Sequence, residues 1–336
     1  MNMLTMKLMI AGLAVCLFSC APNDKSRDEN TEKILSSTPF KSITDSIEQF
    51  PENVELRLRR ATLLSQNNLH QVATADYKKS WEITGDENIG LMYISNLLLA
   101  DKVTEAIKLL TEGAEKFPEN TEYNRRLGEV YLQKGDYNKA LKQYDDLISK
   151  DSSNFEAWFD RGNLLAKMKD TNEAINSLET SFSLLPINYS GMALANLYVA
   201  RKDPRALEVC NVLLSRDSTE TQTEPLYMKG VYYSEVKQYD NALKQFEECI
   251  KRDWKMTDAY IEKGIILFER KNYAEALKVF NMAATVSNTD ADAYYWMGRC
   301  FENTGDKQKA ILNYERAFAL DDSFVEARAA LRRLNG

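Results

Sequence analysis

Apolar residues recur at i, i+3, i+4 and i+7 through most of the chain, in short blocks separated by polar turns, which predicts a succession of amphipathic helices. The blocks themselves repeat. An alanine opens every second helix, at Ala73, Ala106, Ala140, Ala174, Ala206, Ala242, Ala276 and Ala310, with separations of 33, 34, 34, 32, 36, 34 and 34 residues. Four residues after each stands Tyr77, Leu110, Tyr144, Leu178, Cys210, Phe246, Phe280 or Tyr314. Twelve residues before most of them is a small residue: Ala61, Gly128, Gly162, Gly230, Gly264 or Gly298. Prolines at 51, 118 and 186 close three of the units.

Each unit is therefore two amphipathic helices, with the alanine and glycine columns placed where the two helices cross. A glycine inside a helix costs about 1 kcal/mol relative to alanine, so a column of them implies a packing requirement. One such pair cannot bury its apolar faces alone; stacked units share a continuous core and need polar caps at the ends.

These columns, with near copies such as 135–141 (GDYNKAL) and 237–243 (KQYDNAL), resemble the tetratricopeptide repeat family over about 54 to 324. The resemblance implies an all-α, right-handed α-solenoid of about eight helix-turn-helix repeats, starting near 54, 87, 121, 155, 188, 223, 257 and 291. A half-repeat helix from Phe40 to Phe50 is expected before them, and a capping helix from Val325 to Leu334 after them. In that cap Leu331 and Leu334 face inward, and Arg328, Arg332 and Arg333 face solvent. Two repeats depart from the pattern: Ile94 stands in the small column and Cys210 in the aromatic one. The polar stretch 215–225 (SRDSTETQTEP) fits either a hinge or a longer surface loop.

In this family the first helix of each repeat lines a concave groove that holds partners. Carried over, the pattern puts Leu58, Leu91, Arg125, Phe159, Met192, Tyr227, Ile261 and Tyr295 in one inward row. Thr62, Ser95, Glu129, Asn163, Asn196, Val231, Ile265 and Arg299 follow one turn later. The expected binding set is Phe159, Asn163, Met192, Asn196, Tyr227, Ile261, Tyr295 and Arg299. Its aromatic and aliphatic members suit an apolar segment of a partner protein, and Asn163 and Asn196 can hydrogen-bond its backbone. The alternative for each residue is packing against the next repeat. An acidic row, Glu55, Glu122, Glu156, Glu224, Asp258, Asp292 and Glu326, either steers basic partners or merely favours helix N-termini at about 0.3–1 kcal/mol each. Some relatives hold chaperone C-termini through a two-carboxylate clamp; Phe159 and Met192 stand where its lysines are expected, so that clamp is absent.

The amino-terminal segment reads differently. Lys7 precedes the apolar run Leu8 to Phe18, eleven residues, short of the roughly 20 that span a bilayer and matching a secretory signal core. Leu17-Phe18-Ser19-Cys20 resembles the bacterial lipoprotein lipobox. That resemblance implies cleavage before Cys20, acylation of its thiol (palmitate) and of the new amino terminus, and durable membrane attachment through more than one chain. A plain secreted protein is the alternative. Ala21 is not the aspartate that retains enteric lipoproteins in the inner membrane, which favours the outer membrane, facing the periplasm. Expected domains are thus a signal peptide at 1–19, a lipidated, polar and flexible tether at 20–38, and the solenoid at 39–336.

Composition narrows the functional classes. The chain has 336 residues, 50 acidic against 43 basic, a net charge of −7 and one histidine. An acidic balance argues against nucleic-acid binding. A single histidine, His70, excludes sites that need two imidazoles and is expected in a solvated turn. No P-loop, GxGxxG, GxSxG or HExxH occurs, so neither an enzyme, a cofactor nor a metal is expected. Beyond Cys16 and Cys20 remain Cys210, Cys249 and Cys300, either buried free thiols or, for Cys210 and Cys249, a disulfide. The resulting expectation is a membrane-tethered, noncatalytic scaffold of the cell envelope that binds protein segments; the alternative is a chaperone or pilotin-like carrier of one secreted or outer-membrane subunit.

Overall fold

The computed structural model describes residues 24–335; the expected signal peptide 1–19 and Cys20 lie outside them. Nineteen α-helices and no strand occur among the described residues. The first, α1 (Asp24–Leu35), falls where an unstructured tether was expected. It buries none of residues 29–35, so it is a solvated polar helix outside the core. Then comes the half-repeat helix α2 (Lys41–Gln49).

Eight helix pairs follow: α3 (Val54–Gln66) with α4 (His70–Thr84), α5 (Glu87–Leu99) with α6 (Val103–Lys116), α7 (Glu122–Lys134) with α8 (Tyr137–Lys150), and α9 (Phe155–Lys167) with α10 (Thr171–Leu184). The series continues with α11 (Asn188–Ala200) and α12 (Arg205–Arg216), α13 (Glu224–Glu235) and α14 (Tyr239–Arg252), α15 (Thr257–Glu269) and α16 (Tyr273–Val286), and α17 (Ala291–Asn303) and α18 (Lys307–Leu320). The capping helix is α19 (Val325–Asn335). Every pair begins within one residue of the position read from the sequence. Contacts divide the chain into two compact units, one through Tyr123 and one from Asn124.

In the first unit a buried ion cluster ties α2 to the first repeat. Asp76, 1% exposed, accepts from Arg60 Nε at 2.6 Å and Nη2 at 2.8 Å, and from Arg57 Nη1 at 3.1 Å. Arg60 Nη1 also donates to Thr44 Oγ1 on α2 at 3.1 Å. A carboxylate so buried is tolerated because its charge is matched and its lone pairs are used. His70 is not in a solvated turn. It is the first residue of α4 and half-buried, its Nδ1 is enclosed without a hydrogen-bond partner, and its carbonyl accepts from Asn96 Nδ2 at 3.0 Å.

The second unit shows what the columns do. All eight alanines of the column, in both units, are at most 1% exposed. A methyl group placed on Gly128, Gly162, Gly230, Gly264 or Gly298 would lie 2.8, 2.7, 2.5, 2.3 or 2.7 Å from Tyr144, Leu178, Phe246, Phe280 or Tyr314. Each of those residues comes sixteen positions later, on the second helix of the same repeat. Glycine is thus required by close approach, with a ring, or at Gly162 the Leu178 side chain, filling the space a side chain would take. The two departures lack an aromatic residue at the opposing position. Ile94 is fully buried, and the residue sixteen positions later is Leu110, also fully buried, rather than an aromatic one. Leu194 and Cys210, with the same spacing, share one buried cluster.

A second column, not singled out from the sequence, lies seven residues after the alanines and is small in six of the eight repeats, with Leu147 and Leu213 in the other two. Gly113 there touches the Tyr123 ring, and Ser80, Ser181, Cys249, Ala283 and Ala317 are buried at the corresponding places. Ser181 Oγ donates to the Phe155 carbonyl at 2.9 Å, and Cys249 Sγ approaches the Thr223 carbonyl at 3.6 Å in the same manner. Cys249 is therefore a packing residue. Cys210, Cys249 and Cys300 are all buried free thiols, and burial pushes each thiol up to about 12.

Stretch 215–225 closes on itself. The Asp217 carboxylate accepts from Thr219 Oγ1 at 3.0 Å, Thr221 N at 3.2 Å and Gln222 N at 2.8 Å, and meets Arg252 Nη1 of α14 at 3.3 Å. These bonds, the Gln222 amide foremost, hold Asp217 below the usual carboxylate range. The arrangement is a fastened loop.

If the glycine–ring approach sets the helix separation, Gly264→Ala destabilises by about 1–3 kcal/mol, and adding Phe280→Leu costs less than the sum of the single changes. Urea unfolding of the two single variants and the double variant checks this; simple additivity would contradict it.

Candidate protein-binding face

The face in question is the side of the first helices left uncovered by their partners. In the second unit it runs along α9, α11, α13, α15 and α17. Of the residues assigned to it, Asn163 and Asn196 are exposed, and Phe159 and Met192 are half-buried. Phe159 stands edge-on to Tyr189 at 4.6 Å, and Tyr189 is itself 44% exposed. Phe159, Tyr189 and Met192 thus form an aromatic and thioether patch across two consecutive first helices, with an asparagine one turn beyond on each.

Toward the carboxyl-terminal end the assigned residues turn inward. Ile261 is 9% exposed and belongs to the core with Ala276 and Phe280, so its assignment to the binding set is corrected to packing. Tyr227 is half-buried against Phe246, centroids 5.7 Å apart. Tyr295 is wedged among Trp296, Tyr314 and Phe324 at 5.6, 5.7 and 4.9 Å. Arg299 lies over the rings of Phe268 at 4.9 Å and Trp296 at 5.1 Å, and donates to Tyr295 Oη at 3.4 Å. That end is closed by α19. Leu331 and Leu334 pack inward there, and Arg333 stays exposed as expected while pairing with Glu302, one of its bonds measuring 3.0 Å.

Two residues of this face escaped the sequence reading, Asp160 on α9 and Glu262 on α15. Both occupy the sixth position of a first helix, directly after Phe159 and Ile261, outside the two rows used for the assignment. Both are half-buried, and neither accepts a hydrogen bond nor makes an ion pair among the described residues. Burial, followed by the carboxylates of Glu129 and Glu156 and opposed by Arg125, lifts Asp160 from 3.8 to about 6. Burial, then Asp258, Glu235, Glu269 and Asp292, raises Glu262. Asp292 is raised too, by burial and then by Asp290, Asp258, Asp321 and Glu326. Arg125 is engaged with Glu129 four residues along its own helix. The face is consequently apolar at its centre and carries an excess of negative charge, offset in part by Arg125.

No group of acids, histidines or cysteines able to hold a metal ion occurs among the described residues, and none of their helices is long and apolar enough to cross a membrane. Because the folded state raises the Asp160 pKa, ionised Asp160 opposes folding above about pH 6, and that penalty is gone below the unfolded value near ~3.9. Asp160→Asn is expected to stabilise the chain at about pH 7.5 by up to about 3 kcal/mol, the gain shrinking toward about pH 4. Urea midpoints at the two pH values test this, and a loss of stability at about pH 7.5 would contradict it.

The comparisons with known proteins agree with this architecture. Tetratricopeptide repeat family models match residues 128–169, 155–187, 227–289 and 291–324. Hsp70-Hsp90 organizing protein 1 of Glycine max is 25% identical over 210 residues, 61% of this chain and 35% of that protein. The TPR repeat-containing protein YpiA of Bacillus subtilis is 23% identical over 84% of this chain and 58% of its own length. The chain spans little more than a third of the organizing proteins it matches. A tetratricopeptide repeat protein from Parabacteroides merdae superimposes with a TM-score of 0.56 at 17% identity, covering 74% of this chain and 99% of that one. The helix pairs, the residue columns and these matches together identify the chain as one built from tetratricopeptide repeats.

Proposed function

We propose that this chain is a lipid-anchored, noncatalytic adaptor of the bacterial cell envelope that holds a segment of a partner protein on its first-helix face. Tetratricopeptide repeats are scaffolds for protein–protein interaction, and the observation that carries the reading is the patch of Phe159, Tyr189 and Met192. In a core that encloses most large side chains, Tyr189 remains 44% exposed, beside exposed Asn163 and Asn196. Aromatic and thioether groups supply contact area, and the two amides can satisfy a partner's backbone. The anchor rests on the Leu17-Phe18-Ser19-Cys20 motif, which supports acylation of Cys20, and Ala21 in place of an aspartate after it favours a location at the outer membrane facing the periplasm.

The adaptor is preferred to a carrier that shields a whole subunit. Such a carrier needs a broad apolar surface, whereas Ile261 and Tyr295, which would extend the patch, are given over to packing.

Affinity capture from detergent-solubilised envelopes tests the reading, comparing wild type with a Tyr189→Asp, Met192→Asp variant of unchanged helicity. Partners lost from the variant are the expected result; an identical partner set contradicts binding on this face. Metabolic labelling with an alkyne palmitate should mark wild type and fail to mark Cys20→Ser, and equal labelling would remove the proposed anchor.

A further inference from the structure

The carboxylates Asp160 and Glu262 need an explanation that packing does not provide. The helix dipole accounts for acids in the first turn, such as Glu156 and Asp258. It does not reach the sixth residue, where the field has fallen away. A half-buried carboxylate without a hydrogen-bond or ion-pair partner opposes folding; the charges acting on Glu262 are all acidic, and at Asp160 those of Glu129 and Glu156 are opposed by Arg125, which is itself paired with Glu129. Each also lies near a tyrosine. Tyr189 is influenced by Glu156 and Asp160, and Tyr227 by Glu262 and Asp258. A carboxylate beside an aromatic ring is a fitting receptor for a lysine or arginine head, which gains an ion pair and a cation–π contact together. The face's own arginines do not fill that role, since Arg125 is engaged with Glu129 and Arg299 is stacked on Phe268 and Trp296.

Resting on the reading of this face as the binding surface, we propose that its occupant is an apolar segment flanked by lysine or arginine side chains, the cations seated at Asp160 and Glu262. The apolar stretch lies over Phe159, Tyr189 and Met192. Charge complementarity selects this occupant and rejects acidic segments, because a carboxylate on the same path meets like charge at every repeat from α9 to α17 that bears one of these acids. The inferred preference is the reverse of the one served by a two-carboxylate clamp.

The test uses the full chain and three fluorescein-labelled peptides with the same leucine-rich centre, flanked by lysines, by glutamines or by glutamates. Anisotropy titrations at low and physiological salt are expected to show the lysine peptide binding about tenfold tighter than the glutamine peptide, with the glutamate peptide weakest. Asp160→Asn with Glu262→Gln should erase most of that preference, so that the lysine and glutamine peptides then bind alike. Equal affinity for the three peptides, or a lysine preference that survives the double substitution, overturns the proposal. If the peptides bind equally and Met192→Asp abolishes binding, the face remains the binding surface and only the charge selection fails. If no peptide binds, or Met192→Asp changes nothing, both readings fail.

Discussion

The separation between the two helices of a repeat is set by a glycine in the first lying against the side chain sixteen residues later in the second. At Gly264 the Phe280 ring already occupies the space a methyl would need, at 2.3 Å. Because the rings are fully buried, as for Phe246, Phe280 and Tyr314, they have no alternative place to go, and the backbone approach is fixed. Where a larger residue stands in the small column, the residue sixteen positions later is not aromatic: Leu110 follows Ile94 and Cys210 follows Leu194, as Leu178 follows Gly162.

That constraint determines which surfaces are left for recognition. The facing sides of both helices are consumed by packing, which leaves the outer sides free to vary, and on the first helices that side carries the candidate patch. Along α9 and α11 it presents Phe159, Tyr189 and Met192 with two exposed asparagines. Along α15 and α17 the same positions are drawn into the core by Trp296, Phe324 and the capping helix. The patch is therefore local, and the carboxylates of Asp160 and Glu262 extend it chemically beyond its apolar part. Holding them half-buried without partners costs stability, which is the usual trade at a site kept ready for a ligand.

Much of the architecture was legible because a 34-residue period puts the same steric demand on many positions at once. Eight alanines and five glycines in register located every helix pair. Turn chemistry was less legible. The residue that ends each first helix's turn is left-handed in all eight repeats, yet it is glycine only at 135 and 305, and elsewhere Asn68, Asp101, Lys169, Lys202, Lys237 and Lys271. A strained lysine leaves no mark in composition. The second small column was hidden because Ser80, Gly113, Ser181, Cys249 and Ala283 share size but no chemistry. At the site, periodicity placed Phe159, Asn163, Met192 and Asn196 on an accessible face but could not tell that Ile261 packs inward, since both fates suit an isoleucine. Asp160 and Glu262 were overlooked because a lone acid on a helix reads as solvated; only neighbours brought in from other helices make it exceptional.

Site-specific photo-crosslinking in intact envelopes addresses the central claim, that recognition is confined to the outer side of the first helices, most directly. A benzophenone side chain at Asn163 or Asn196, both exposed on that side, is compared with one at Met282 or Leu312, which are 50% and 63% exposed on second helices. The account predicts protein adducts from the asparagine positions and none from Met282 or Leu312. Adducts formed only at Met282 or Leu312 would contradict it and move the binding surface to the opposite side of the repeats.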